Sequence, residues 1–474
     1  MLLYYNQVLG IGASAASFAL LVALVIDAVS DPLVGSFSDN VRHRLGRRHP
    51  LMYAAAVPLA LCIYLLFAPP ALSPSGLLWW LVGFAVATRI SFTFFSVPWN
   101  AMFAELSDDY KERSELISYR FAVAWVVGVI FSYCMYAYVF DATDLYPLGQ
   151  LNPERYETFA LVLALSVLTG ALVSTHMTRD QIRYMRQPAA SHRGFSAGAF
   201  IEEIRLALSN RDFRVLLFAV LAWAVVAGTN QALQIYMNTY FWALGGEALK
   251  WLSLSAVGGL LAFMTVLPLQ ARFDKKYLVV GSSVALVIIT AIPVTLRFLG
   301  LAPENGSPGL VVMIVFTSLF VAYAVTVVLI MFTSMVADTV DTQELATGLR
   351  QEALFNSVIT FSSKVTSGGG LLVAGLLLDF VVGLDGSQRI DRLSSTQLVR
   401  LGVIDAYVVP LCNVVWLWLA LKYTITREQH AKIRAKLDAG YAESVEEGGG
   451  SYVVEAQADR AGSAATRARG TEPD

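Results

Sequence analysis

IGASAASFALLVALVIDAVSDPLVGSF, residues Ile11 to Phe37, is an apolar run long enough to cross a bilayer as a helix, and it carries two carboxylates, Asp27 and Asp31. On insertion scales each charge near the centre of a membrane costs roughly 2.5–3.5 kcal/mol, so acids placed there usually face a cavity and act in it. Asp27, Ser30 and Asp31 follow an i, i+3, i+4 spacing, which sets three oxygen-bearing side chains on one helix face. Two carboxylates so close repel unless a proton or a metal cation lies between them. The run therefore reads as a cation site inside a membrane, held at Asp27 and Asp31. The competing reading is that both acids pair with Arg or Lys from neighbouring helices, Arg89 among them.

Composition agrees with a membrane protein. Of 474 residues 56% are hydrophobic and 15% charged, against about 25% charged in soluble domains. The net charge of −2 gives no sign of a nucleic-acid partner, and none is expected. Cys62, Cys134 and Cys412 fall in apolar runs without paired spacing and read as small core residues, not disulfides or ligands.

Further apolar spans follow at about Leu51–Phe67, Leu78–Phe103, Ser118–Phe140, Phe159–Met177, Phe213–Trp242, Trp251–Leu269, Leu278–Phe298, Leu310–Val336, Phe355–Val382 and Val403–Leu421. The expected organisation is an all-α polytopic protein: an N-terminal helical half over 1–177, a central cytoplasmic loop over 178–212, a C-terminal six-helix half over 213–423, and a mostly disordered tail over 424–474 with a short helix around Arg427–Tyr441. Basic loops (Arg42, Arg44, Arg47 and Arg48; Lys111 and Arg113; Arg272, Lys275 and Lys276) alternate with loops lacking Lys and Arg, such as Pro69–Gly76 and Leu301–Ser307. By the positive-inside rule the basic loops and the tail are cytoplasmic, in a cell membrane, with a bacterial inner membrane expected. The basic turns Ser38–His49 and Ala271–Leu278 occupy equivalent places only if one span precedes the Asp27 helix, with Met1–Gly10 as its end. The expectation is a two-half transporter lacking most of its first helix.

Three stretches carry a family resemblance. DAVSDPLVGSFSDNVRHRLGRRHP (Asp27–Pro50), VPWNAMFAELSDDYKERSELISYR (Val97–Arg120) and SMVADTVDTQELATGLRQEALFNSVITFSSK (Ser334–Lys364) resemble, in order, the helix II, helix IV to V and helix X to XI segments of the glycoside–pentoside–hexuronide:cation symporters. That family is a branch of the major facilitator superfamily whose best-known member is melibiose permease. The resemblance implies a major facilitator fold and cation-coupled symport of a sugar or glycoside. Asp27, Ser30 and Asp31 match the helix II cation ligands, with Ser where the permease has Asn, and Thr93 matches the helix IV ligand. On the sugar side, Ser96 and Asn100 stand at the helix IV positions with Trp99 one place off, Arg120 lies near the helix V arginine, and Lys364 matches the helix XI lysine. Lys364 reads equally as a charge partner for an acid or as a cavity residue.

The second half adds its own constellation. Asn230, Gln234 and Asn238 recur every four residues in GTNQALQIYMNTYF. Such an amide stripe suits a hydroxyl-rich solute, and equally suits hydrogen bonding between helices. Asn100, Arg120, Asn230, Gln234, Asn238 and Lys364 are thus expected to approach one central cavity. Asp39, Arg42, Arg44 and Arg47, with Asp108, Glu112 and Arg113, and in the second half Asp338, Asp341, Glu344 and Arg350, form candidate gating charges in cytoplasmic loops. Single exposed ion pairs contribute only about 0–1 kcal/mol, but a group can bias which side of a carrier is closed.

The expected activity is transport, not catalysis, with no cofactor beyond the coupling ion, Na+ or H+. The partners are a small solute and the bilayer, and the chain is expected to act as a monomer. Two alternatives remain open. A non-sugar solute such as a lysolipid would use the same fold. An intramembrane Mg-dependent prenyltransferase would also use a DxxxD pair, but it needs a second acidic cluster facing the first, and the acid-rich runs at Ser107–Glu115 and Asp338–Glu344 are loops.

Overall fold

The computed structural model describes residues 1–103, 106, 110–184, 205, 208, 210–347, 352–384 and 393–446. Among them, eleven helices are long and apolar enough to cross a membrane. They are α1 (Ala13–Asn40), α2 (His49–Phe67), α3 (Pro74–Phe103), α4 (Tyr110–Cys134), α5 (Pro153–Met177) and α6 (Arg211–Tyr236). After them come α7 (Gly246–Arg272), α8 (Lys275–Phe298), α9 (Pro308–Thr347), α10 (Glu352–Leu376) and α11 (Ser395–Leu421). A polar helix, α12 (Arg427–Glu446), closes the described chain. Every apolar span read from the sequence is helical.

Several ends differ from the sequence reading, as where α4 begins at Tyr110 and not near Ser118, and two of them have a plain cause or consequence. α11 begins at Ser395 and not near Val403, because Ser394 and Gln397 form a capping box that starts a polar first turn. α9 runs 40 residues to Thr347, a length of ~60 Å against ~30 Å of hydrocarbon. Its last turns therefore stand clear of the membrane while remaining helical. Asp338, Asp341 and Glu344, expected in a loop, are on this helix and buried.

Prolines lie inside six spans, at Pro32, Pro58, Pro98, Pro268, Pro293 and Pro410. Each removes one backbone donor, which membrane helices tolerate where neighbours re-satisfy the freed carbonyl. Pro32 sits directly after Asp31, so the turn carrying the acids is also the turn where the α1 ladder is interrupted.

Packing sorts the helices into two groups. α1 and α2 both pack on α3, and α2 on α5; α6 packs on α10 and α11, and α9 on α7 and α8. The groups meet along α1 against α10 and α4 against α7. One apolar core cluster draws on both groups and includes Tyr4, Phe140, Tyr156, Tyr236, Leu378 and Leu401. The other two are each confined to one group, around Phe213, Met335 and Phe355 in the second and around Met52 and Met102 in the first. Among the described residues, then, the groups share a core at the end of the bundle where α1 begins, and not at the end where α1 stops.

Polar contacts follow the same division. α1 starts at Gly12, which offers no capping side chain. The cap comes from across the interface: Asp379, in the π-helical turn Leu377–Val382 that continues α10, accepts from Ala13 N at 2.9 Å, Ser14 N at 2.7 Å and Ser14 Oγ at 2.5 Å. Nearby, the Tyr236 hydroxyl donates to Asn6 Oδ1 and the Tyr240 hydroxyl to Gln7 Oε1. Gln150 Nε2 lies against Leu244 O at 2.9 Å.

Candidate cation site and solute pathway

Halfway along α1 the expected ligands come together. Asp27 is 1% exposed and Thr93 wholly buried. The Thr93 hydroxyl lies 3.0 Å from Asp27 Oδ1, 3.3 Å from Asp31 Oδ1 and 3.1 Å from its own helix's Arg89 carbonyl, and Ser30 Oγ is 3.2 Å from it. Ser30 can donate instead to the Asp27 carbonyl at 3.0 Å. α1 supplies three of the four groups because their spacing puts them on one face, and α3 brings the fourth because it packs along that face.

Cationic side chains complete the cluster. Lys364 Nζ, on α10, stands 2.5 Å from Asp31 Oδ2 and 3.0 Å from Asp27 Oδ2. Arg89 Nη1 is 3.7 Å from Asp27 Oδ2, close enough to pair in charge but not to hydrogen bond well. Two carboxylates thus face two cations, and the ammonium of Lys364 bridges both acids. Its side chain and that of Asp31 are 28% and 29% exposed, whereas Asp27 is sealed. The bridged edge is therefore the edge through which another cation could enter.

Of the two readings open for Lys364, its contacts are those of a charge partner for the acid pair. Of the other five solute candidates, Asn238 lines a cavity between α4 and α7, together with Trp125, Ser132 and Tyr136. Gln234 Nε2 donates to Asn238 Oδ1 at 3.3 Å, and Asn230 is half-buried one turn back. The Arg120 guanidinium lies 4.3 Å from the centroid of the Trp99 ring, a cation–π contact, and Asn100 is exposed. None of these four, nor Lys364, is among the residues that line the cavity, so the six do not form one lining.

The candidate gating charges also find partners that sequence spacing did not name. Asp39 pairs with Arg48 at 2.8 Å, while Arg47 is 4.0 Å away and Arg42 is exposed. Asp338 holds Lys275 at 2.7 Å through both oxygens. His430 of α12 reaches Asp341 at 3.0 Å and Asp338 at 3.4 Å, and Arg434 is 3.6 Å from Asp341. Burial, and then the neighbouring Asp338 and Asp212 carboxylates, push the Tyr423 phenol well above its ordinary range. Asp338, Asp341 and Lys275 are named from the sequence but His430 and Arg434 are not, and for these two the i, i+4 spacing was the available signal. Asp108 and Arg350 lie outside the described residues, as does the side chain of Arg113. Asp379 was missed although it carries the same signal as Asp27, an acid in an apolar run.

Residues 1–427 match the family described as MFS/sugar transport protein. An uncharacterised symporter from Synechocystis sp. is 26% identical, the match covering 93% of this chain and 92% of the relative. A putative glycoside/cation symporter of Escherichia coli is 26% identical over 80% of this chain and 77% of its own length. In fold, the chain resembles the crystal structure of a nucleoside transporter with a TM-score of 0.55 at 13% identity, covering 89% of this chain and 95% of the other.

Proposed function

The chain belongs to the family of MFS/sugar transport proteins, and from that membership we propose that it is a secondary active transporter in which Na+ or H+, taken at Asp27 and Asp31, drives symport of a small hydroxylated solute, a sugar or glycoside, by alternating access. The observation that carries this reading is the bridged acid pair: Lys364, from the second helix group, holds two carboxylates of the first at 2.5 and 3.0 Å.

Such a bridge makes ion binding and movement one event. In the empty carrier the Lys364 ammonium neutralises the acids. An arriving Na+ would take oxygens from Asp27, Asp31, Ser30 and Thr93, a hard-cation donor set; an arriving proton would neutralise one carboxylate. Either one removes what Lys364 is bound to, and with it an attachment between the two groups. With the basic loops and tail in the cytoplasm, the shared core and the Asp379 cap lie at the extracytoplasmic end. The described arrangement is then closed toward the outside. The name of the Escherichia coli relative, a glycoside/cation symporter, supports the same pairing of solute and ion.

Purified protein in liposomes tests it. Imposed Na+ or pH gradients should drive accumulation of a glycoside, and Asp31→Asn should abolish accumulation while leaving part of the solute binding. Binding that responds to Na+ and pH in Asp31→Asn as in the wild type overturns the assignment.

A further inference from the structure

Where α4 meets α7, a cavity of about 580 Å3 opens between the two helix groups. Trp125, Gly128, Ser132 and Tyr136 line it from the first group, Asn238 and Ser253 from the second. Two of these residues sit in π-helical turns, Tyr136 in Met135–Val139 and Asn238 in Met237–Phe241. Such turns, of which the described residues hold five, turn a side chain away from the regular register, and here two of them aim at one cavity.

The chemistry of the lining is uniform. It offers an indole, a phenol, an amide and several hydroxyls, and none of its described lining residues is Asp, Glu, Lys, Arg or His. Ser132 and Tyr136 have no hydrogen-bond partner for their hydroxyls among the described residues, and Asn238 uses its oxygen toward Gln234 while its amide donors remain available. The Ser253 hydroxyl donates to Lys250 O at 2.6 Å and keeps its lone pairs. The indole of Trp125 is fixed by a glycine opposite: a Cβ at Gly259 would fall 2.5 Å from Trp125 Cη2 and 3.1 Å from its Cζ2, so only glycine leaves room for it. A flat apolar face beside neutral donors and acceptors matches a pyranose ring, whose CH face is apolar and whose rim is hydroxylated.

We infer that this cavity is the glycosyl-binding subsite of the carrier and that it selects a neutral sugar over a uronate. The inference rests on the transport reading above and adds the location and the charge class of the solute. A uronate carboxylate here would lose its hydration without a cationic partner. Arg120, a basic residue expected at the solute cavity, lies against Trp99 and not in this lining. Because each helix group supplies half of the lining, the subsite changes shape when the groups move relative to each other.

Gly128 provides a test that spares the fold, since a Cβ built on it meets nothing within 4 Å. p-Nitrophenyl β-glucoside and p-nitrophenyl β-glucuronide differ only in a CH2OH or a carboxylate at C6, and both can be measured for equilibrium binding to the purified full chain in nanodiscs. The wild type should bind the glucoside at least tenfold more tightly than the glucuronide. Gly128→Leu should weaken glucoside binding at least tenfold, with the thermal midpoint and the Na+ or pH response of the Asp27 and Asp31 site unchanged; Trp125→Leu should do the same. The assignment is overturned if Gly128→Leu and Trp125→Leu both bind glucoside within twofold of wild type, or if the wild type binds the glucuronide as tightly or binds neither probe. Cation-driven uptake of some other solute that survives Gly128→Leu would remove this subsite and leave the carrier standing. Absence of any cation-driven uptake in the wild type would instead remove the transport reading.

Discussion

Thr93 has one hydroxyl proton and three oxygens within reach of it, Asp27 Oδ1, Asp31 Oδ1 and the Arg89 carbonyl. A single donor cannot satisfy three acceptors at once, so its more consequential part is the lone pairs, which a metal ion can use and a proton on a carboxylate does not need. Thr93→Val keeps the shape and removes the oxygen. If the coupling ion is Na+, this variant should lose roughly tenfold in ion affinity, about 1.4 kcal/mol, in a Na+ titration of solute binding. If it is H+, the pH profile of uptake should move far less. Equal retention of both responses would take Thr93 out of the site. Asp27 and Asp31 could be read from the sequence because a carboxylate in an apolar span is costly and therefore scarce, whereas Thr93, one of four hydroxyls in its span, was singled out by the family resemblance. Their partner was not legible as such: Lys364 lies 333 positions from Asp31, and a lone lysine in a span carries no mark of which acid it will meet.

α10 is an element built to be approached from two sides. Lys364, Gly368 and Gly375 fall on one face at helical spacing, and that face meets α1. A Cβ at Gly375 would stand 2.0 Å from Ser17 Oγ and 2.6 Å from the Ala13 carbonyl, and one at Gly368 would stand 2.7 Å from Leu21 Cδ1. On the opposite face a Cβ at Gly370 would meet the Val225 carbonyl of α6 at 2.3 Å. Small residues let the backbones close to a distance at which Lys364 reaches the acids. The two glycines facing α1 should differ in their tolerance. Gly368→Ala meets the tip of a flexible leucine and is expected to cut initial uptake rates less than threefold. Gly375→Ala meets backbone, and is expected to cut them at least tenfold while lowering the thermal midpoint, as overpacked contacts costing about 1–3 kcal/mol do. The reverse order of severity would mean that the α1–α10 seam does not set the geometry of the acid pair. Helix existence was plain from hydropathy, and so was the face of α6 bearing Asn230, Gln234 and Asn238. What a face looks at depends on neighbours chosen by the whole chain, which is why only Asn238 reaches the cavity.

At the scale of the molecule, the two helix groups share an apolar core at one end only, and there Asp379 caps α1 from the other group. Hydrogen bonds from backbone amides to a charged acceptor contribute about 1.5–3 kcal/mol each, net of the bonds to water they replace. Asp379→Asn removes the charge and one acceptor, so it is expected to raise the population open at that end by tenfold or more, read as faster thiol labelling of a cysteine introduced at Asn6. Unchanged labelling would show that the apolar core alone holds the closure. Sequence could not have disclosed which end is shut, because the contacts that shut it join residues far apart in the chain, such as Gln150 and Leu244 at 94 positions and Tyr236 and Asn6 at 230. Asp379 and Lys364 are both on the α10 strand of helix, fifteen positions apart, on the order of 22 Å along the axis. α10 therefore grips α1 twice, with an anion on its amino terminus and a cation on its midpoint. Two grips on one rigid rod obey thermodynamic reciprocity: whatever factor ion binding contributes to loosening the terminal grip, loosening that grip must return to ion binding. The Asp379→Asn variant, altered far from the acid pair, should then bind Na+ or H+ more tightly than the wild type, and by no more than the factor by which the ion itself speeds labelling at Asn6.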